Sequence, residues 1–152
     1  MRWVILVISA FVCVVVIGSA SPQDGLPEGK GKDVIQKMCQ QCHSLEQATG
    51  SKRTKKSWQN VVDDMVTRGA EGSDSDVTVA VSYLSQNFGK PININTATAK
   101  EIGDAFAFTS DQSEALVRYR SDSGGFKKFE DLRKVPGLDP AVWDEQKKNI
   151  QF

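Results

Sequence analysis

The chain has 152 residues, with 19 Lys+Arg, 19 Asp+Glu and a single His. That length holds one or two small domains, and the balanced charge excludes a protein that collects bulk polyanions by net charge alone. Any chemistry that needs two histidines from one chain is excluded as well.

Residues 1–20 read MRWVILVISAFVCVVVIGSA. Arg2 gives a positive start, Trp3 to Gly18 is uncharged and apolar, and Gly18-Ser19-Ala20 supplies small residues. This is the layout of a secretory signal peptide that is cleaved on export to the periplasm. The competing reading is an uncleaved N-terminal anchor, because the run is close to the roughly 17–20 residues of a minimal span. Cys13 lacks the small residues that precede a lipidated cysteine. Residues 21–28 form a Pro/Gly-containing leader arm, and no further hydrophobic span follows.

Residues 29–90 read as a three-helix module. Val34, Ile35, Met38 and Cys42 recur at helical spacing from Lys32 onward. A basic loop, SKRTKKS, leads to a second helix with Trp58, Val61, Val62, Met65 and Val66, stopped at Gly69. Ser73 caps a third helix, with Asp74 and Asp76 near its positive end and Val77, Ala80, Val81, Leu84 and Phe88 on its apolar face. Gly89 and Pro91 close it. Lys90-Pro91 is the expected boundary to a second helical module, residues 91–152. There Thr96 or Thr98 caps a helix to about Phe106, and Ser110 caps the next. Gly124-Gly125 turns the chain, residues 129–134 are a short helix, and Asp139-Pro140 opens the last one as N-cap and first helical residue. The expected fold class is all-α.

The chemistry-bearing motif is C-Q-Q-C-H, residues 39–43, which spends the only histidine beside a paired cysteine. A redox dithiol would need a thioredoxin-like βαβ setting, and structural zinc would need a fourth ligand. Covalent haem attachment needs only what is present. Cys39 and Cys42 would each add across a porphyrin vinyl group, and His43 would ligate the iron. A plain Cys39–Cys42 disulfide is the bland alternative in an exported protein. The sixth iron position is left to methionine, lysine, water or an external group. Met1 lies in the signal sequence and Met38 adjoins Cys39, which leaves Met65 among the methionines.

With CQQCH at the end of a first helix, a mid-chain methionine and a last helix V-S-Y-L…F-G, residues 29–90 resemble a small class I c-type cytochrome. The resemblance implies crossed first and last helices, one haem c, and Met65 as the second axial ligand. It also implies electron transfer to a redox partner protein, without substrate turnover. Many such cytochromes place that methionine in a loop, whereas here it falls in a helix. Met65 also shares one helical face with Trp58, Val61 and Val62, the position of an ordinary core residue. Trp58 is expected either beside the porphyrin or in the core. Lys52, Arg53, Lys55 and Lys56 are expected either on haem propionates, on an acidic partner, or as a solvated loop.

Residues 92–152 resemble the ComEA-type helix-hairpin-helix family through I-N-I-N-T-A (92–97), A-L-V-R-Y-R (115–120), G-G-F-K-K-F-E-D-L (124–132) and V-P-G-L (135–138). In members that bind DNA, hairpin backbone N–H groups hold phosphate; other members serve protein contacts. This copy has Ala107-Phe108-Thr109 at the first Gly-x-Gly, and Asp139 at the second glycine after Gly137. Its charge is nearly balanced, nine basic against ten acidic residues over 91–152. DNA contact is therefore disfavoured beside protein docking. Its best remaining support is a cluster of Arg118, Arg120, Lys127, Lys128, Arg133 and Lys134. The whole reads as an exported monohaem cytochrome with a docking module. The alternative is a periplasmic DNA-binding protein of the competence type that carries a haem module.

Overall fold

A computed structural model describes residues 25–152. The segment read as a signal peptide, residues 1–20, lies outside the described residues, as does the start of the leader arm. Among the described residues no helix is long and apolar enough to cross a membrane.

The chain is mostly helical: α1 (Lys32–Cys39), α2 (Glu46–Thr49), α3 (Lys55–Thr67), α4 (Asp74–Asn87), α5 (Ala99–Phe106), α6 (Ser110–Asp122), α7 (Phe129–Leu132) and α8 (Ala141–Gln146). A 3-10 turn, Lys147–Asn149, follows α8. One feature departs from an all-α fold. The two-residue strands β1 (Ile92–Asn93) and β2 (Ile150–Gln151) pair in parallel, Ile92 opposite Ile150. Two residues per strand is too short for alternation to show in the sequence.

The helices start where side chains satisfy orphan amides. Ser73 and Asp76 form a reciprocal capping box on α4, and Thr98 and Glu101 form another on α5. The cap of α6 is Thr109, boxed with Gln112, so Ser110 is the first helical residue and not the cap expected for it. Helix α1 ends at Cys39, leaving Cys42 in the following turn instead of on the helix. The last helix begins at Ala141. Pro140 already has helical angles, and the Asp139 carboxylate accepts from the Ala141 N–H at 2.9 Å.

Buried apolar residues form two clusters. One gathers Leu26, Ile35, Met38, Leu45, Trp58, Val62, Ala80, Val81, Tyr83 and Leu84. Helix α1 packs on α4, where Gly31 (φ +102) is buried against Val79 and Tyr83 with no room for a Cβ. The described end of the leader arm is no loose tail: Leu26 is buried, and the Tyr83 hydroxyl donates to the Pro27 carbonyl at 2.5 Å. The other cluster centres on Ile94, Ile102, Phe106, Leu116, Leu132 and Trp143, with edge-to-face packing of Trp143 on Phe106 and Phe108.

The clusters are not beads on a string. Helix α3 packs on α5, and α4 packs on α8 and the 3-10 turn. Between them Ser85, Gln146 and Asn149 are buried polar residues. Gln146 Nε2 donates to Ser85 Oγ at 3.0 Å, and Asn149 Nδ2 donates to the Ser85 carbonyl at 2.7 Å. Gly89, expected as a helix stop, has a different task. A Cβ there would collide with Asn149 Nδ2 and the Ser85 carbonyl.

Candidate functional site

A cavity of about 460 Å³ opens between α1, α3 and α4, a volume within the usual range for small-molecule and cofactor pockets. Cys39, Cys42, His43 and Met65 all line it, together with Met38, Arg53, Trp58, Val61, Val62, Arg68, Ala80 and Leu84. The four residues singled out from the sequence are thus brought to one concave, mostly apolar space.

Each is placed by local chemistry. Cys39 closes α1 and is half-buried, and that burial pushes its thiol pKa up. Cys42 is exposed in the next turn, and both thiols are free, so the Cys39–Cys42 disulfide is not formed. The His43 amide donates weakly to the Cys39 carbonyl at 3.4 Å, continuing the turn. His43 Nδ1 lies 2.9 Å from the Ser44 carbonyl. A carbonyl oxygen only accepts, so Nδ1 carries the hydrogen and the Nε2 lone pair is left for a metal.

Met65 stands in the last turn of α3. Gly69 (φ +103) ends that helix with the Gly69 amide on the Val66 carbonyl and the Ala70 amide on the Met65 carbonyl, each at 2.9 Å. This doubly bonded left-handed stop fixes the backbone of Met65 and folds Ala70 back onto the cavity rim. Met38 also reaches the wall. It is a core residue, and its sulfur packs against Gly72. Trp58 serves both places expected for it in part: it is fully buried in the first cluster and it lines the cavity. Its indole N–H is spent on the Phe88 carbonyl at 3.1 Å.

The basic loop divides. Lys55 pairs with Glu145 and Lys56 with Asp104, so both reach across to the C-terminal half. Arg53 alone of the run lines the cavity, its guanidinium 5.5 Å from the Trp58 ring centroid. In the sequence the run reads as one unit, and the structure singles out Arg53 within it. Among the described residues no three His, Cys, Asp or Glu side chains converge to hold a bare metal ion. The residues suit a group that brings its own nitrogen ligands: two thiols, one imidazole, one thioether and an apolar wall.

In the C-terminal half, the hairpin positions are chemically occupied. Ala107 takes the left-handed angles of the absent glycine (φ 57), as Gly137 does at the second hairpin (φ +79). Thr109 Oγ1 accepts the Gln112 amide at 3.2 Å, and Asp139 accepts the Ala141 amide. One amide at each hairpin, that of Gln112 and that of Ala141, is therefore capped by the chain itself. Of the six cations, Arg120 donates to the Ile94 and Ala97 carbonyls, Arg133 pairs with Asp144, and Lys134 pairs with Asp131. Arg118, Lys127 and Lys128 are exposed.

Residues 87–151 match the family model described as the helix-hairpin-helix motif. ComE operon protein 1 of Bacillus subtilis is 34% identical over 62 residues, 41% of this chain and 30% of that protein. Endonuclease/exonuclease/phosphatase family domain-containing protein 1 is 37% identical over 54 residues in Xenopus laevis and 39% over 59 residues in Homo sapiens. The shares are 36% and 39% of this chain and 10% of each relative. The chain thus spans less than a third of the curated relatives it matches. No solved structure matches it. These matches support the ComEA-type part of the resemblance and leave residues before 87 outside the family match. Residues 87–151 are therefore similar to the helix-hairpin-helix family.

Proposed function

We propose that the chain is an exported c-type haem protein whose helix-hairpin-helix domain docks it to a redox partner. One observation carries this reading: Cys39, Cys42 and His43, selected by motif, and Met65, selected by elimination among the methionines, line one cavity of about 460 Å³. Cys39 and Cys42 would hold the porphyrin through thioethers, and His43 and Met65 would ligate its iron. Haem bound there supplies a one-electron couple, and a thioether ligand raises its potential. The chain's own contribution is to present Nε2 through the Nδ1–Ser44 contact, to anchor Met65 by the Gly69 stop, and to exclude water with Trp58, Val62 and Leu84. The packing of α1 on α4 through Gly31 supports the cytochrome resemblance.

The test is expression of the full chain with a haem-attachment system. A c-type spectrum that survives denaturing extraction is expected. A sulfur-to-iron charge-transfer band is expected in the oxidised form and lost in Met65→Ala. A colourless protein sinks the proposal.

The comparisons favour the second reading, a periplasmic DNA-binding protein of the competence type, because the half they identify is a helix-hairpin-helix domain and one relative carries the ComE name. The capped Gln112 and Ala141 amides, the Arg120 bonds to main-chain carbonyls and the surface pairing of Arg133 and Lys134 weigh against it. A DNA gel-shift series at rising salt separates the two. Binding that persists at physiological salt and is lost in Arg118→Ala with Lys128→Ala establishes the DNA reading; no retention above low salt leaves the docking role.

A further inference from the structure

The wall of the cavity and the C-terminal half meet at one short segment, residues 88–90. The Phe88 carbonyl accepts two hydrogen bonds from that wall: the Arg53 amide at 3.1 Å and the Trp58 indole N–H at 3.1 Å. The Lys90 amide returns to the Arg53 carbonyl at 2.9 Å. Between these two lies Gly89, buried, with the Asn149 side chain pressed against it. Asn149 is held in turn by the Ser85 carbonyl and by Gln146 Oε1 at 3.2 Å. The cavity wall is thus joined to the last turn of the C-terminal half by main-chain bonds, by the contact of Asn149 with Gly89 and by buried side-chain bonds.

We infer that Asn149 is a positioning residue for the cavity: it fixes Gly89, and through Phe88 and Lys90 it sets the place of Trp58 and Arg53 on the wall. A buried amide whose partners are themselves buried has one favourable arrangement, because each lost bond leaves an unsatisfied group in a poorly solvated place. Removing the Asn149 side chain frees the Ser85 carbonyl and opens a space beside Gly89. The 88–90 segment then loses its backstop while the helices on either side keep their own cores. The inference needs only the cavity wall; its second test rests on the haem reading.

The first test is amide hydrogen exchange on the full chain without haem, comparing wild type, Asn149→Ala and Val135→Ala. Val135 is buried in the C-terminal cluster away from the junction, so its truncation reports simple loss of stability. In Asn149→Ala the Arg53 and Lys90 amides and the Trp58 indole N–H are expected to exchange about tenfold faster, relative to Leu116, than in wild type. In Val135→Ala those sites are expected to keep their wild-type ratio to Leu116. Equal acceleration everywhere in Asn149→Ala, or none at the junction, overturns the proposal. Should Asn149→Ala fail to fold, Asn149→Ser takes its place under the same criteria. The second test is the reduction potential and oxidised spectrum of the haem-loaded chain, which Asn149→Ala is expected to shift and Val135→Ala to leave in place. A wild type that takes no haem removes the haem reading and leaves the exchange result standing.

Discussion

At the scale of single residues, the fold carries one visible strain. Ala107 is the only described non-glycine residue at positive φ, and it is exposed, so a glycine there relieves the Cβ strain without losing buried packing. Ala107→Gly is expected to stabilise the chain by about 1 kcal/mol, read as a higher urea midpoint at unchanged slope. Three surface carboxylates carry the opposite kind of information. The Asp76 and Glu101 pKa values are lowered first by the backbone amides of Ser73 and Thr98, and that of Asp131 by the Lys134 ammonium and then the Lys127 amide. Each binds its proton less readily folded than unfolded. Their contribution is therefore complete above the ordinary carboxylate range and is lost as pH falls through the depressed values. Thermal unfolding from neutral pH downward is expected to fall in that acid window, and the combination Asp76→Asn, Glu101→Gln and Asp131→Asn is expected to flatten the profile. Capping residues such as Ser73 and Thr98 were legible because an oxygen three residues ahead of its partner is a local signal. Thr109 and Ser110 were confused because two adjacent hydroxyls offer that signal equally. The strain at Ala107 was legible only as a missing glycine.

At the scale of elements, several of the C-terminal motif residues build the fold. Asn93 Oδ1 accepts the Asn95 and Thr96 amides, which turns the chain out of β1. The Asn95 side chain then pairs with both backbone groups of Phe126, donating to its carbonyl and accepting from its amide, each at 2.8 Å. Gly125 (φ +93) lies just short of that contact, where a Cβ would press on Asn95 Oδ1. Arg120 completes the turn by bonding the Ile94 and Ala97 carbonyls. Asn95→Ala removes two such bonds and leaves both Phe126 groups short of partners. It is expected to cost about 2–3 kcal/mol in chemical denaturation. This explains why the helix-hairpin-helix half was readable from short fragments: ININ, YR and GGF are mutually bonded pieces of one local structure. The α3 stop was readable for the same reason, since Gly69 is the residue a left-handed helix end favours. Short elements were not. Neither α2 nor the β1–β2 pair has enough residues to establish a period.

At the scale of the whole molecule, what holds the halves together was invisible in sequence, because its members lie about sixty positions apart. Ser85, Gln146 and Asn149 carry no motif, and Gly89 reads only as a helix end at the close of V-S-Y-L…F-G. The surface pairs Lys55–Glu145 and Lys56–Asp104 cross the same boundary but stay partly solvated. Lys55→Ala and Lys56→Ala are each expected to change stability by no more than about 1 kcal/mol. Gly89→Ala forces a methyl group into Asn149 and the Ser85 carbonyl, and is expected to cost about 3 kcal/mol, measured in the same urea titration. The cavity is the reverse case. CQQCH and Met65 were singled out in the sequence, and the folded chain brings them to one space.

The parallel pairing of β1 with β2 has a mechanical consequence. The polypeptide enters the C-terminal half at Ile92 and reaches its last paired residues at Ile150 and Gln151, side by side and next to Gly89. A pull transmitted along the chain at either point acts first on the two-residue ladder and on the Asn149–Ser85 bond, and only afterwards on the helices. If the halves ever swing apart, the hinge has one place to form, and that place is the rear wall of the cavity.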